Sequence, residues 1–293
     1  MAGETLKTPE LIGGDHLTTN AVVYNNGMVW FQEYQTNRLM VMPMGKPAEA
    51  KNPGGLKTLS EPVPVRNRHI AFRGEDDKLM LVTCAAPHMY GQLGTETCLS
   101  APSFGGGYLY FQCAGNALAR AAVDRNERNV LAVGHCIGRP AVHEMRPDRV
   151  WYPSDARSPD WTTYLQQIEL PSLRQGSNYD CENGSGLCVA PNGQLWLIAM
   201  SHLSTTWTFT DIDGNAKYWM SGRLRADPIR PCVPRGTGRD VYYVSRGDLF
   251  RALAFRGSTD WEFLAKGCAT SPNVQPGFVL YGGADKKIYK LAI

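Results

Sequence analysis

Two copies of Ser-x-Asp-Trp stand 100 residues apart, Ser158-Pro159-Asp160-Trp161 and Ser258-Thr259-Asp260-Trp261. Ser and Asp side chains bind nearby backbone amides and fix turns. A Trp beside such a turn offers a broad apolar face that can pack between strands or stack on a ligand ring. Asp160, Trp161, Asp260 and Trp261 are therefore candidate ligand contacts, against the plainer alternative of two structural hairpins. Arginine adds a second chemistry. Arg223, Arg225, Arg230, Arg235, Arg239, Arg246, Arg251 and Arg256 fall within 34 residues, opposed there only by Asp227, Asp240 and Asp248. Planar guanidinium groups suit carboxylates, sulfates and phosphates. Arg223 and Arg225 join the candidate ligand contacts, with a solvated loop of internal ion pairs as the alternative.

Other chemistries find less footing. The six histidines form no His-Glu-x-x-His and no His-x-His pair, so the sequence implies no metal and no cofactor. Asp211-Ile212-Asp213-Gly214-Asn215 departs from a calcium loop, because Gly stands at position four and Gly222 at position twelve; it reads as an Asp-Gly hairpin turn. Gly105-Gly106-Gly107 precedes a strand pattern and reads as a turn, not a phosphate cradle. No nucleophile elbow, P-loop or dinucleotide fingerprint occurs. The eight cysteines contain no Cys-x-x-Cys pair. Cys181 and Cys188 flank a turn-rich segment and could close a small disulfide loop, or could be free thiols. Cys84 and Cys113 sit in apolar strand patterns and read as small core residues.

The elements that must position these residues are strands. A hairpin pattern recurs, with first strands at Met28–Phe31, Lys78–Val82, Tyr108–Phe111, Arg149–Tyr152, Gln194–Ile198, Asp240–Val244 and Phe278–Tyr281. Anchoring on Trp30, Leu81, Tyr110, Trp151, Trp196, Tyr242 and Leu280 gives spacings of 51, 29, 41, 45, 46 and 38. Their mean of about 42 is the period of a four-stranded propeller blade. Second strands follow at Arg38–Met44, Asn116–Val123, Thr162–Leu170, Thr205–Ile212, Asp248–Phe255 and Lys286–Ile293. The alanines of Asn116–Val123 favour helix, but its place in the repeat favours strand.

The expected fold is all-β: one domain over 1–293, a seven-bladed β-propeller, or a six-bladed one, given the uneven first and second spacings of 51 and 29. The last strand ends the chain with no room for a fourth. Thr5–Ile12 resembles Leu56–Glu61, which falls where an outer strand belongs. The N-terminal segment is therefore expected to supply the outer strand of the last blade and close the ring.

Composition narrows the partners. Apolar residues make up 43% and charged residues 19%, an ordinary globular balance. A net charge of +3 is too weak for a dedicated nucleic-acid binder. No run of about 20 apolar residues occurs, so no membrane insertion by a helix is expected. The opening residues show neither a basic n-region nor an apolar h-region, which leaves the compartment open.

From Gly247, the segments GDLFRALAFRGSTDWEFLAKG and PGFVLYGGADKKIYKLAI resemble tachylectin- and tectonin-type propeller repeats. Those repeats run from a G-x-L-Y-x strand to a K-x-Y-K strand, then a D-x-W segment and a Gly. The resemblance covers one to two repeats well. It implies glycan binding without catalysis, in pockets between blades. Ser-x-Asp-Trp also begins like the sialidase Asp box, but lacks its Gly and its spaced Trp, so sialidase chemistry is not carried over. GLCVAPNGQLWLI is similar to a lactonase-type propeller strand pair.

Three readings result. The first is a non-catalytic, lectin-like propeller that binds glycans or glycoproteins. The second is a structural or receptor-attachment protein of a virus particle or other assembly, with protein partners on its faces. The third is a propeller glycosidase or lactonase, for which Glu33, Asp155, Glu182 and Asp227 are the candidate carboxylates.

Overall fold

The computed structural model describes residues 7–125, 128–144, 147–156, 164–176, 179–180, 182–189, 195–200, 207–210, 217–220, 229–232, 240–253 and 261–293. Among them there is no α-helix, only strands and three short 3-10 turns. After β1 (Glu10–Leu11), the strands group in chain order. β2 (Val23–Asn25), β3 (Met28–Gln32) and β4 (Leu39–Pro43) form one antiparallel sheet. β5 (Val63–Val65), β6 (His69–Arg73), β7 (Lys78–Thr83) and β8 (Tyr90–Thr97) form the next. β9 (Ser103–Gly105), β10 (Tyr108–Cys113), β11 (Ala117–Ala122) and β12 (Arg128–Ala132) form a third. The fourth holds β13 (Ala141–Val142), β14 (Arg149–Ser154), β15 (Tyr164–Glu169), β16 (Arg174–Gln175) and β17 (Tyr179–Asp180). Two hairpins follow, β18 (Glu182–Val189) with β19 (Leu195–Met200), and β20 (Trp207–Thr210) with β21 (Lys217–Met220). β22 (Asp240–Ser245), β23 (Asp248–Leu253) and β24 (Trp261–Ala265) form a sheet, and β25 (Asn273–Gln275), β26 (Phe278–Gly282) and β27 (Ile288–Ala292) the last.

The chain thus repeats an antiparallel meander, the arrangement of a β-propeller. The short first strands lie beside one another from sheet to sheet: β25 beside β2, then β5, β9, β13 and β18. The core lies between neighbouring sheets. Val65, Ala71 and Leu79 pack with Cys98, Leu109 and Phe111, and Tyr110 and Leu118 with Val142, Val150 and Ile168. Met28, Lys78 and Arg149 open strands as expected, and Asn116–Val123 is strand β11 despite its alanines. The Asp-Gly turn at 211–215 lies outside the described residues, but β20 and β21 on either side of it pair as a hairpin.

One register expectation is corrected. Lys78–Val82 is not the counterpart of Met28–Phe31. In the first sheet Val23 pairs with Trp30; in the second, Val63 pairs with Ala71, so β6 is the equivalent strand and β7 the one after it. With Ala71 in place of Leu81, the first spacings become 41 and 39. Ala71 is fully buried like Trp30 and Tyr110, but a small residue gives no aromatic signal in the sequence.

The N-terminal segment pairs as expected over a shorter range. Glu10 faces Lys290 and Leu11 faces Tyr289, and the Ile12 amide donates to the Ile288 carbonyl at 3.0 Å. Ile12, Leu280 and Ile288 then pack with Val29, Phe31 and Met42 of the first sheet. On that first sheet, Lys51 and Lys57 bridge to Val41 and Arg38, so the stretch containing Leu56–Glu61 does approach the outer edge of β4.

Candidate functional site: the central cavity and the Trp261 edge

A repeated side-chain bond leads into the centre. Five residues before the first-strand positions Val23, Val63, Ser103, Ala141 and Asn273 stand Thr18, Thr58, Cys98, Cys136 and Cys268, all fully buried. Each donates from its hydroxyl or thiol to the carbonyl two residues on, at 3.1, 2.7, 3.2, 3.5 and 3.4 Å. The next polar residue often ties in the second strand: Ser60, Ser100 and Thr270 accept from the amides of Arg73, Gln112 and Gly282 at 3.0, 3.0 and 2.8 Å. These cysteines are thus threonine equivalents in a packed repeat. Burial pushes the Cys98 and Cys136 thiols up to about 12. Cys84, Cys98, Cys113, Cys136, Cys232 and Cys268 are free thiols; Cys84 and Cys113 are buried, as expected of core residues. Cys181 lies outside the described residues, so the proposed loop with Cys188 does too.

Two residues before each first-strand position lies a second repeated place. It holds Ala21, Ala101 and Ser271 in three sheets. In three others it holds Glu61, Arg139 and Arg230, two positions before Val63, Ala141 and Cys232, which pair with Ala71, Trp151 and Tyr242. These three side chains meet. Arg230 Nη2 lies 2.9 Å from Glu61 Oε1, and Arg139 Nη1 contacts the same oxygen. Glu61 is mostly buried, its side chain 14% exposed. Arg139 Nε donates to Ser103 Oγ at 3.0 Å, and that hydroxyl donates to the Pro140 carbonyl at 2.6 Å. A cavity of about 220 Å3 opens here, lined by Pro62, Val63, Phe104, Ala141 and Asn273 together with Arg139 and Arg230. Charge-assisted bonds of this kind are the strong ones, provided the partners stay desolvated and satisfied.

The sequence-derived candidates are placed only in part. Asp160, Trp161, Asp260, Arg223 and Arg225 lie outside the described residues. Trp261 opens β24 opposite Ala252 and is 51% exposed. Its ring meets Phe250 edge-on at 5.5 Å, and Phe250 in turn stacks on Tyr243 at 5.7 Å. This aromatic row occupies one face of the sheet; Tyr242, Val244 and Leu249 turn the other face onto β25–β27. Of the arginine run, Arg230, Arg246 and Arg251 lie among the described residues. Arg230 reaches the cavity, Arg251 pairs with Glu262 and lies 3.9 Å from Asp240, and Arg246 sits at a tight turn with φ 52°. Of the carboxylates considered for hydrolysis, Glu33 lies 3.4 Å from His16 and Asp155 lies 2.8 Å from His135, in different sheets. The side chains of Glu182 and Asp227 lie outside the description. Among the described residues, no group of three His, Cys, Asp or Glu could hold a metal ion, and no helix is long and apolar enough to cross a membrane.

No family model and no curated relative matches the sequence. Solved structures match the fold. Virginiamycin B lyase from Staphylococcus aureus aligns with a TM-score of 0.63 at 11% identity, over 98% of each chain. Oligogalacturonate lyase from Vibrio parahaemolyticus gives 0.66 at 9% identity, over 95% of this chain and 91% of that one. YCF48 bound to D1 peptide gives 0.61 at 13% identity, over 99% and 97%. At such identities the likeness defines the class, a β-propeller, and nothing about what it binds.

Proposed function

We propose that this chain is a seven-bladed, non-catalytic recognition propeller that binds glycans at the outer edge of its aromatic blade face, as the tachylectin-type resemblance implies. The seven-bladed count is supported by the neighbouring strands β19 and β20, which let β18–β19 and β20–β21 be taken as one blade. The pairing of β1 with β27 and the core shared by the last and first sheets support a ring closed by the N-terminal strand. The observation that carries the recognition reading is Trp261. A large aromatic ring half exposed at a strand edge, and braced from behind by Phe250, presents a rigid apolar face of the kind a sugar ring stacks on. Trp161 would supply a second stacking face, and Asp160, Asp260, Arg223 and Arg225 the polar contacts. The test is a glycan array of the purified chain, with a charge-matched control protein and the Trp261→Ala variant. Binding to a related set of sugars that the variant loses supports the reading; a blank array removes it.

A second reading is attachment to a protein partner. Met89 and Tyr90 are 68% and 51% exposed beside one another at the start of β8, apolar surface that a protein partner would cover. A related fold, YCF48, is bound to a peptide. A blank glycan array with retained binding to a protein ligand would select this reading.

A further inference from the structure

Met89 and Tyr90 are exposed yet held in place. Thr83 clamps the turn that carries them: its amide donates to the Met89 carbonyl and its hydroxyl accepts from the Met89 amide, both at 2.8 Å. His88 Nδ1 lies 2.9 Å from the Thr83 carbonyl oxygen, and the His88 ring meets the buried Trp30 ring edge-on at 5.4 Å. Tyr90 also rests on the stretch that follows β4. A Cβ at Gly54 would overlap the Tyr90 ring, so the ring lies against the Gly54 backbone. One side of the ring is braced while half of the side chain stays open to solvent. A side chain fixed in this way has little freedom left to lose on binding, and Met and Tyr are enriched in protein interfaces.

The charges beside this pair have one sign. Arg68 belongs to the same sheet, and its carbonyl accepts from the Cys84 amide at 2.8 Å, where the turn begins. Lys51 belongs to the first sheet, three residues before Gly54, and bridges to Val41. Both are exposed, and among the described residues neither forms an ion pair. Glu49 and Asp124, on the same two flanks, are engaged by Lys46 at 2.9 Å and by Arg66 at 3.0 Å. Beyond Tyr90, β8 runs on as the last strand of its sheet, and no described strand pairs with its outer edge.

We infer that the Met89–Tyr90 turn docks an extended acidic segment of a protein partner, with one large apolar side chain on the Tyr90 ring and carboxylates toward Arg68 and Lys51. The inference rests on the protein-attachment reading and names the partner's chemistry. Arg accepts a carboxylate through paired N–H donors, and opposite charges across an interface steer encounter and fix register. A second copy of this chain is the wrong occupant, because a two-fold contact would set the same cations against each other. The open edge of β8 suits a segment in extended form, which can follow a strand.

The probe is a library of random short peptides displayed on phage and selected on the full chain, with the enriched peptides then synthesised and titrated by fluorescence anisotropy. The expected peptides combine several Asp or Glu with a large apolar residue. Tyr90→Ala should weaken their binding about tenfold or more, as loss of an aromatic anchor does. The double variant Lys51→Glu with Arg68→Glu should weaken it about fivefold or more through charge alone. All three side chains are exposed, and circular dichroism checks that the variants fold; Met89→Ala replaces a Tyr90 variant that does not. Enriched peptides without an acidic excess overturn the inference, as does full binding by the folded double variant. If Tyr90→Ala still abolishes binding in those cases, the attachment reading stands and only the acidic partner is lost. Absence of any peptide that depends on Tyr90 or Met89 removes both. A single-stranded oligonucleotide of equal charge that binds more tightly than the peptides overturns the assignment to a protein segment.

Discussion

Thr58 and Cys98 make the same bond from the same place in successive sheets. The Thr58 hydroxyl donates to the Ser60 carbonyl at 2.7 Å and the Cys98 thiol donates to the Ser100 carbonyl at 3.2 Å. Thiol and hydroxyl are interchangeable here because the site asks only for a small buried donor. Cys98→Thr should therefore change stability by less than about 1 kcal/mol, the scale of one hydrogen bond. Cys98→Asp should cost roughly 3 kcal/mol or more, since it buries a charge without a partner. Urea unfolding of the two variants checks both numbers.

The buried thiols also set a pH limit. Burial raises Cys84 to about 11 and Cys98 and Cys136 to about 12, from an ordinary value of 9.0. A raised folded-state value means that the contribution to stability is fully present below the unfolded value and is lost as pH rises through the folded one. Stability should therefore hold to about pH 9 and fall between roughly pH 9 and 12. Denaturant midpoints at pH 7.5 and pH 10 test this. At pH 8 the native chain should react with a thiol reagent far more slowly than the unfolded chain.

The N-terminal strand should carry stability out of proportion to its length. Ile12 is 3% exposed and packs in the core shared by the last and first sheets. Ile12→Ala should cost about 2–4 kcal/mol through transfer and cavity terms, and deletion of residues 1–12 should cost more. Calorimetric melting checks both, and an unchanged midpoint for the deletion would count against the pairing with β27.

Gly105 closes β9 where the first strand of the next sheet comes near. A Cβ there would lie 2.7 Å from the His143 carbonyl oxygen and 2.9 Å from Val142 Cγ1. Gly105→Ala should destabilise by about 1–3 kcal/mol, the usual overpacking range, although alanine is the better residue for an ordinary strand. Thermal melting of the variant beside Gly91→Ala, a strand glycine without a positive φ where no atom lies within 4 Å of the added Cβ, separates close contact from loss of glycine flexibility.

Trp261 should behave in the opposite way. Being half exposed, Trp261→Ala should cost no more than about 1 kcal/mol, while sugar binding on that edge should be lost. The double change of Trp161 and Trp261 to Ala should abolish binding in a folded protein, which circular dichroism and the glycan array together establish.

The middle strands of the repeat were legible because Trp30, Tyr110, Trp151 and Tyr242 mark them with large aromatic residues. The second sheet was misregistered because Ala71 fills the same buried place without a bulky side chain. The first strands were invisible: β2, β5, β9, β13 and β25 have two or three residues each, too few for any alternation to register. The centre was hidden for the same reason. Glu61, Arg139 and Arg230 share no local motif and become equivalent only once the pairing of Val63, Ala141 and Cys232 is known. A signal for the repeat did exist in Thr58-x-Ser60, Cys98-x-Ser100 and Cys268-x-Thr270, a small donor followed by a hydroxyl. Cysteine hides it, because a thiol standing where other copies of the repeat have a threonine hydroxyl breaks the likeness in the sequence.

The pairing of β1 with β27 has a consequence for synthesis. Glu10 and Lys290 are 280 positions apart. At roughly 5–20 residues per second, translation separates them by about a quarter of a minute to a minute. Throughout that interval the first strand has left the ribosome and its partner has not been made. The final sheet can be assembled only after β27 has been made, so elongation speed sets how long an unpaired edge and the Ile12 side chain are offered to chaperones or to neighbouring nascent chains.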